Sequence, residues 1–205
     1  MPEITRITPQ KRDQTRCNIE VDGKYYCALS LETVMRFRLK AGTSIDEEEL
    51  QRIQLDSEKG AALDKALTHI SVSMKTEKEI RTFLQKKGYL QDVSDYVVEK
   101  MKEYGYLDDE AYARAYAESA KKKKGKRLIA AELKRKGVSD SAAEAALSGC
   151  EEEAESALKI LEKYLRAKPV DEKTLRKAYV HLIQKGFDYD TAREALRAYG
   201  ETSED

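Results

Sequence analysis

The stretch "LIAAELKRKGVSDSAAEAAL", residues 128 to 147, carries apolar residues at spacings of three and four on both sides of a lysine-glycine pair. Such spacing is typical of helices that bury one face. Glycine directly after a helix takes a left-handed conformation at little steric cost, and lysine before it favours the negative end of the helix dipole. The stretch predicts two helices joined by a tight turn.

The same pattern occurs three times. "EIRTFLQKKGYLQDVSDYVV" (79 to 98) and "AYVHLIQKGFDYDTAREAL" (178 to 196) align with it on a glycine. The aligned glycines are Gly88, Gly137 and Gly186, and both intervals, 137 − 88 and 186 − 137, equal 49 residues. A lysine precedes each glycine and a leucine lies four residues before it. A constant period of this length predicts a tandem array.

Helix starts are predicted from capping residues. The second helix of each pair is expected to begin at an N-cap of suitable type, at Asp92, Ser141 and Asp190. Thr76 with Glu79, and Ser141 with Glu144, fit the capping-box pattern. A further helix precedes each pair, at about 60 to 73, 108 to 122 and 150 to 167. The result is three units of three helices, roughly 57 to 105, 106 to 149 and 150 to 200.

The amino-terminal residues have the alternation of strands. "RCNIEVDGKYYCALS", residues 16 to 30, predicts a hairpin that turns at Asp22-Gly23. A two-residue turn places Cys17 and Cys27 on different faces, which argues against a disulfide between them. The predicted core face holds Cys17, Ile19, Val21, Tyr26 and Ala28. A short helix over 31 to 39, ended with the help of Gly42, completes this module.

The predicted fold is mainly α, with tandem three-helix, helix-turn-helix-like repeats in an elongated array and a small amino-terminal β-hairpin module. The expected division is a strand module at 1 to 45, a linker helix and first repeat at 46 to 105, a basic second repeat at 106 to 149, a third repeat at 150 to 200 and a disordered tail at 201 to 205.

Overall composition gives no reason to expect attraction to nucleic acid or membranes, because 38 basic residues balance 38 acidic ones. The three cysteines are an odd number, and neither a signal-like apolar segment nor a run of about 18 apolar residues is found. We therefore expect a cytoplasmic protein with reduced thiols.

Positive charge is concentrated between Lys121 and Lys136. The nine basic residues are Lys121, Lys122, Lys123, Lys124, Lys126, Arg127, Lys134, Arg135 and Lys136, against one acidic residue, Glu132. At about 100° per residue, Arg127 and Arg135 lie away from the apolar side of their helix. Two interpretations stay open, a solvated helix end with its loop or a patch that contacts phosphates.

Catalytic chemistry is not expected. "KKKKGKR" lacks the leading glycine and trailing serine or threonine of a phosphate-binding loop, and no His-Glu-x-x-His or paired Cys-x-x-Cys motif occurs. The two histidines, His69 and His181, fall on separate predicted helices. Asp108 and Asp109 are explained by capping of the next helix, and Tyr112 and Tyr116 by packing along it. We expect no enzyme, no cofactor and no metal.

Four segments together resemble the RecX family of RecA regulators. They are "EKEIRTFLQKKGY" (77 to 89), "YGYLDDEAYARAY" (104 to 116), "GKRLIAAELKRKGV" (125 to 138) and "QKGFDYDTAREAL" (184 to 196), in the family's order and spacing. The resemblance covers about residues 58 to 200. The strand module is similar to the extension of longer Gram-positive members.

The resemblance implies a non-catalytic protein that binds RecA filaments on single-stranded DNA and reduces ATP hydrolysis, strand exchange and co-protease activity. It also implies weak binding to DNA alone, for which the nine basic residues are the natural carriers. A monomer is expected. The competing hypothesis is a general single-stranded nucleic-acid-binding repeat protein that acts without RecA, and a pure protein-interaction adaptor is a third.

Overall fold

A computed structural model describes residues 1 to 11, 13 to 148 and 153 to 202. They form four strands, β1 (Glu3–Pro9), β2 (Arg16–Val21), β3 (Lys24–Ser30) and β4 (Thr43–Ser44). The helices in these ranges are α1 (Leu31–Arg36), α2 (Glu47–Ile70), α3 (Glu77–Lys86), α4 (Gln91–Glu103), α5 (Asp109–Ala120), α6 (Lys126–Lys136), α7 (Asp140–Leu147), α8 (Glu153–Leu165), α9 (Glu172–Gln184) and α10 (Tyr189–Thr202). The predicted class, mainly α with three-helix repeats and a small strand module, is confirmed.

The chain divides into two compact units. The first comprises residues 1 to 74 and 80 to 107, and the second comprises residues 75 to 79 with the chain from residue 108 onward. The first turn of α3 therefore belongs to the second unit. The domain boundaries expected from the sequence stay predictions.

The amino-terminal sheet is antiparallel with strand order β3-β2-β1-β4. Asp22 and Gly23 both have positive φ, 49° and 78°, as a tight two-residue hairpin turn requires. The buried face is built by Ile4, Ile19 and Leu29, each without exposed surface. The sheet packs on the first half of α2, which buries Leu50 in the same core.

The predicted hairpin register is wrong beyond its first two pairs. Val21 pairs with Lys24 and Glu20 with Tyr25, but Ile19 then pairs with Cys27, so Tyr26 is an extra residue. Such a β-bulge changes which face the following residues occupy. Cys27 consequently joins the buried face in place of Tyr26 and Ala28, and Cys17 pairs with Leu29.

Cys17 and Cys27 are both free and buried, although they share a face. The expectation that they form no disulfide is confirmed, but the predicted reason was wrong. Burial raises the pKa of the Cys27 thiol to about 11, which keeps it protonated and unreactive near neutral pH. The third cysteine, Cys150, lies outside the described residues.

Two predicted helices differ in length. α1 ends at Arg36 rather than at residue 39, because Arg38 already has a left-handed φ of 51°. The linker helix expected after residue 46 and the helix expected at about 60 to 73 form one continuous 24-residue helix, α2. Its first half packs on the sheet, and its second half contributes Ala62 and Ala66 to the first repeat. This helix connects the strand module to the repeats.

Gly60 lies in the middle of α2 and offers a stabilising substitution. A Cβ at this position would meet nothing within 4 Å. Because glycine inside a helix is less favourable than alanine, we expect Gly60→Ala to raise the free energy of unfolding by about 0.5–1 kcal/mol. Urea denaturation followed by circular dichroism measures the change, and an unchanged or lowered midpoint would count against a continuous α2.

Each repeat has its own core. The largest buried side chains are Ile80, Leu84 and Met101 in the first repeat, Ile129 and Leu133 in the second, and Leu161, Leu182 and Phe187 in the third. The three aligned glycines have φ values of 87°, 92° and 91°. The predicted left-handed helix ends at Gly88, Gly137 and Gly186 are confirmed.

The predicted N-caps of the second helices are wrong by two residues. α7 is capped by Ser139, which accepts a hydrogen bond from the Ala142 N–H at 3.2 Å. Asp188 accepts one from the Thr191 N–H at 2.7 Å. The predicted capping residues Asp92, Ser141 and Asp190 lie inside the first turns instead. The second helix of each pair therefore begins closer to the glycine than predicted.

Of the two predicted capping boxes, one is confirmed. The Thr76 N–H donates to Glu79 Oε2 at 3.1 Å, and the Glu79 N–H donates to Thr76 Oγ1 at 3.2 Å. The pairing of Ser141 with Glu144 is wrong, because Ser139 occupies the N-cap. α10 extends to Thr202, so the first two residues of the predicted tail are helical. The remaining three lie outside the described residues.

Candidate nucleic-acid interface

The basic cluster, defined as the nine basic residues from Lys121 to Lys136, occupies the turn after α5 and the whole of α6. Its helix begins where the second repeat contacts the third. Gly125 donates its N–H to the Lys185 carbonyl at 2.9 Å, and the Arg127 N–H donates to the Gly186 carbonyl at 3.1 Å. A Cβ on Gly125 would lie 2.4 Å from the Gly186 backbone. Glycine is therefore required at Gly125 by close backbone contact.

The amino terminus of α6 is already occupied by a carboxylate. Glu153 accepts a hydrogen bond from the Lys126 N–H at 2.7 Å, and its second oxygen lies 3.9 Å from Lys126 Nζ. Helix amino termini attract anions, since their N–H groups have no partner inside the helix. With Glu153 in place, a phosphate bound at the cluster has to be held by side chains.

The same arrangement recurs one repeat earlier. The Glu77 N–H, at the start of α3, donates to Asp109 Oδ1 at 2.9 Å, and Thr76 Oγ1 donates to the Lys136 carbonyl at 2.7 Å. Thr76 precedes Gly125 by 49 residues, from 125 − 76, the same period as the glycines. Within the second unit, the start of α3 thus contacts the lysine-glycine end of the second repeat as the start of α6 contacts that of the third.

Five members of the basic cluster form ion pairs. The pairs are Lys121 with Glu118 at 2.8 Å, Lys124 with Glu132 at 2.7 Å, Lys126 with Glu153 at 3.9 Å, Lys134 with Asp140 at 3.1 Å, and Lys136 with Glu79 at 2.8 Å. Glu118 pairs with Lys121, three residues further along the chain, and not with Lys122. These five cations have counter-charges within the protein.

Lys124 and Glu132 belong to a partly buried network. Tyr116 donates its hydroxyl to Glu132 Oε2 at 2.7 Å, and Lys124 Nζ lies 5.8 Å from the centroid of the Tyr116 ring. Burial and the hydrogen bond to Glu132 raise the pKa of the Tyr116 hydroxyl. Tyr112 stacks on Tyr116 with 6.1 Å between ring centroids, which confirms that the two tyrosines pack along α5. Glu132, the one acidic residue between Lys121 and Lys136, thus accepts hydrogen bonds from both Tyr116 and Lys124.

Lys136 joins the second repeat to the first turn of α3. Its Nζ lies 2.8 Å from Glu79 Oε1 and 5.3 Å from the centroid of the Tyr112 ring. Burial alone would raise the pKa of the Glu79 carboxyl, but hydrogen bonds from Lys136 and Thr76 outweigh it and hold the pKa below 4.5. Burial alone would lower the pKa of Lys136, but hydrogen bonding to Glu79 and Tyr112 raises it.

Replacing Lys136 by methionine is expected to lower the free energy of unfolding by about 1–3 kcal/mol, because the partly buried Glu79 carboxylate then loses its ion-pair partner and keeps only the Thr76 N–H. Glu79 has a lowered folded-state pKa, so its contribution is present above pH 4.5 and is lost as the pH falls below that value. Urea midpoints measured from neutral pH to pH 3 should therefore converge for wild type and variant. A constant difference would contradict this pair.

The other four members of the cluster are exposed and form no ion pair with any described residue: Lys122, Lys123, Arg127 and Arg135. Arg127 and Arg135 are separated by about 12 Å along α6, at 1.5 Å per residue. The Arg127 guanidinium lies 5.8 Å from the centroid of the Tyr189 ring, which is 56% exposed. Two loop lysines, two helix arginines and an exposed tyrosine offer the chemistry that single-stranded nucleic acid requires, cations for phosphates and a ring for stacking.

Metal sites and membrane-spanning helices are not found in the part of the chain that the structure describes. No group of three or more histidine, cysteine, aspartate and glutamate side chains there is arranged to hold a metal ion. No helix in the described ranges has the length and apolar character needed to cross a membrane.

These features define a tandem three-helix-repeat protein with an amino-terminal sheet module. Four family models match it in order: the Regulatory protein RecX N-terminal domain at residues 2–46, and the first, second and third RecX three-helix domains at 62–101, 108–147 and 151–196. The chain belongs to the RecX family of regulatory proteins.

Relatives extend over nearly the whole chain. Regulatory protein RecX of Bacillus licheniformis is 34% identical over 203 residues, covering 96% of this chain and 77% of the relative. Regulatory protein RecX of Clostridium botulinum strain Alaska E43 is 32% identical and covers 96% of both chains. The resemblance seen in the sequence is confirmed.

Solved structures have the same fold. A crystal structure of regulatory protein RecX superimposes with a TM-score of 0.69 at 28% identity, covering 94% of this chain and 98% of the other. The crystal structure of RecX from Lactobacillus salivarius gives a TM-score of 0.63 at 23% identity over 70% of this chain.

Proposed function

We propose that this protein is a non-catalytic regulator of RecA that binds RecA filaments on single-stranded DNA and reduces ATP hydrolysis, strand exchange and co-protease activity. Family membership supports the regulatory role. The observation that carries the nucleic-acid half of the proposal is a set of four exposed cations that form no ion pair with any residue in the described ranges, namely Lys122, Lys123, Arg127 and Arg135. They are the part of the cluster whose charge is available to a phosphate.

We propose that four of the nine residues of the basic cluster form the contact surface, because the other five form ion pairs. Ion-paired cations would have to leave a carboxylate before they could bind a phosphate, which offsets the gain. If each of the four exposed cations contacts one phosphate of a single strand, the logarithm of the binding constant falls with the logarithm of salt with a slope of about −3. Affinity for bare DNA at physiological salt is then weak, so RecA has to supply the remaining contacts.

We expect the protein to act as a cytoplasmic monomer in DNA repair, homologous recombination and the SOS response. Acidic and basic segments alternate along the repeats, and a filament of protein on DNA offers partners of both signs. Electrostatic complementarity of this kind raises the association rate and fixes the register of binding. General binding to single strands without RecA is the competing function.

A binding experiment separates the two functions. Fluorescence anisotropy of the labelled protein is measured with oligothymidylate alone and with oligothymidylate coated by RecA and a non-hydrolysable ATP analogue, at physiological salt. We expect strong binding to the coated strand and weak binding to the bare one. Equal or stronger binding to bare DNA would instead identify a general single-strand binder.

A further inference from the structure

The third repeat carries a second positively charged segment. Residues 163 to 185 contain seven basic and two acidic residues. The basic residues are Lys163, Arg166, Lys168, Lys173, Arg176, Lys177 and Lys185, and the acidic ones are Asp171 and Glu172. The segment includes the end of α8, the connecting loop and all of α9. Unlike the basic cluster, its charges are spread over a loop and a long helix, so a count of consecutive residues does not reveal them.

Two of these basic residues, Arg176 and Lys177, line a cleft of about 340 Å³. Its lining residues are Tyr164 from α8 and Arg176, Lys177, Val180, His181 and Gln184 from α9. The α9 residues lie at spacings of three and four, which places them on one side of the helix. The cleft is therefore a groove between two helices of a single repeat.

An aromatic pair forms one wall of the cleft. The rings of Tyr164 and His181 stack with 4.5 Å between centroids and an interplanar angle of 22°. Lys168 Nζ lies over the Tyr164 ring, 3.1 Å from its centroid. Stacking holds the imidazole in place beside the lysines, so its nitrogens are positioned together with the cationic groups.

The cleft has more positive charge than its acidic neighbours can balance. Arg176 pairs with Glu172 at 2.6 Å, and Asp171 accepts the Thr174 N–H at 2.7 Å as the cap of α9. Lys168, Lys177 and Lys185 form no ion pair with any residue that the structure describes. No carboxylate of the described residues lies within ion-pair distance of these three ammonium groups, although Asp171 interacts with Lys177 over a longer distance.

The ionisation of His181 is consistent with this imbalance. Burial, followed by the positive charges of Lys185 and Lys168, lowers the pKa of the imidazole below 6.5. The charged groups that face it are those two lysines with Lys177 and Arg176, and Tyr164 stacks on it. An anion in the cleft would reverse the effect of the lysines and favour the protonated imidazole.

We infer that the cleft between α8 and α9 binds a phosphate of single-stranded nucleic acid, with Lys168 and Lys177 as the charge partners and His181 and Gln184 as hydrogen-bond donors. A phosphate supplies the missing counter-charge and accepts hydrogen bonds from ammonium, imidazole and amide groups alike. The inference goes beyond the proposed function, because it needs no RecA and uses residues outside the basic cluster.

The two histidines allow a direct test, because the chain contains only His69 and His181. His69 lies in the first unit, stacked on Phe83 with 4.1 Å between centroids, and serves as an internal reference. The imidazole proton resonances are followed by NMR through a pH titration of the full chain, with and without short oligothymidylate, and separately with ATP. We expect oligothymidylate to raise the pKa of His181 and to leave that of His69 unchanged.

Each outcome of the titration is decisive. A rise with oligothymidylate that ATP at equal phosphate concentration does not reproduce supports a strand site. If ATP raises the pKa of His181 as much as oligothymidylate does, or more, the cleft binds free nucleotides and the strand site is overturned. An unchanged His181 pKa with every probe would overturn phosphate binding. The variant with all four exposed cations of the basic cluster reversed should still show the His181 response, so the cleft and the proposed function can fail separately.

Substitutions provide an independent measurement. The double change Lys168→Gln and Lys177→Gln removes two contacts and should reduce the steepness of the salt dependence of oligothymidylate binding by about 1.4, at 0.7 per phosphate. Both side chains are exposed, so folding is expected to be retained. The matched control changes Lys40 and Lys86, two exposed lysines of the first unit, to glutamine. Equal salt slopes in the two double variants would contradict phosphate binding in the cleft.

Discussion

Replacing Gly186 by alanine is expected to lower the free energy of unfolding by about 3 kcal/mol, the largest stability effect predicted for this chain. A left-handed conformation costs an alanine about 1–2 kcal/mol, and overfilling a packed contact typically costs a further 1–3 kcal/mol. Both apply at Gly186, because its φ is 91° and a Cβ there would lie 2.3 Å from the Leu128 Cβ. Urea denaturation monitored by circular dichroism measures the loss.

The other glycines separate the two contributions. Gly88 has the same left-handed φ, 87°, but a Cβ there would meet nothing within 4 Å, so Gly88→Ala should show the backbone cost alone. Gly125 has a φ of −78°, but its Cβ would overlap the Gly186 backbone, so Gly125→Ala should show the overlap alone. If Gly186→Ala is no more destabilising than Gly88→Ala, the described contact between the second and third repeats is wrong.

Reversing the charge of the four cluster cations that form no ion pair with described residues is expected to abolish inhibition of RecA. The variant changes Lys122, Lys123, Arg127 and Arg135 to glutamate. Each reversal replaces attraction to a phosphate by repulsion, and the four together remove about three units of salt slope on a single strand. Because the four side chains are exposed and make no ion pair with described residues, folding should be retained. Steady-state ATP hydrolysis by RecA on single-stranded DNA measures the loss.

A control variant carries the same change in charge on the first unit. Lys24, Lys40, Arg52 and Lys86 are exposed there, and glutamate at these four positions alters the net charge equally. This control should retain inhibition. If both variants lose inhibition, the effect comes from net charge, and if the cluster variant inhibits fully, the cluster is not the contact surface.

The repeat architecture could be predicted because its signals are local. The lysine-glycine helix end and the leucine four residues before it lie within single helix pairs, and their recurrence every 49 residues reveals the repeat. Left-handed glycines at Gly137 and Gly186 follow from the same local pattern. The register of the hairpin could not be predicted, because nothing in "KYYCALS" indicates that Tyr26 is left out of the pairing between β2 and β3. A bulge depends on how the whole strand packs on the core.

The candidate site could be predicted only in outline. The density of lysine and arginine from Lys121 to Lys136 is visible in the sequence, but two of the five ion pairs are made with carboxylates far away in the chain. Glu79 lies 57 residues from Lys136 and Glu153 lies 27 residues from Lys126, and neither distance corresponds to a helical period. The separation of four exposed cations from five paired ones therefore required the tertiary structure.

The cleft of the third repeat was missed because its residues follow no familiar motif. In the sequence, His181 is one of two histidines on separate predicted helices, and nothing marks Tyr164 as its neighbour. Their stacking joins residues of two helices across a loop. The sequence does show that Lys177, His181 and Gln184 share one side of a helix. This spacing points to a cleft only when the position of the neighbouring helix is known.

RecA regulation is tested most directly by single-strand-dependent ATP hydrolysis of RecA, with this protein added well below the RecA concentration and bare-DNA binding measured at the same salt. The account predicts inhibition at that low ratio together with weak binding to bare DNA. Inhibition that sets in only when enough protein is present to coat the DNA would contradict it and identify a non-specific competitor for the strand.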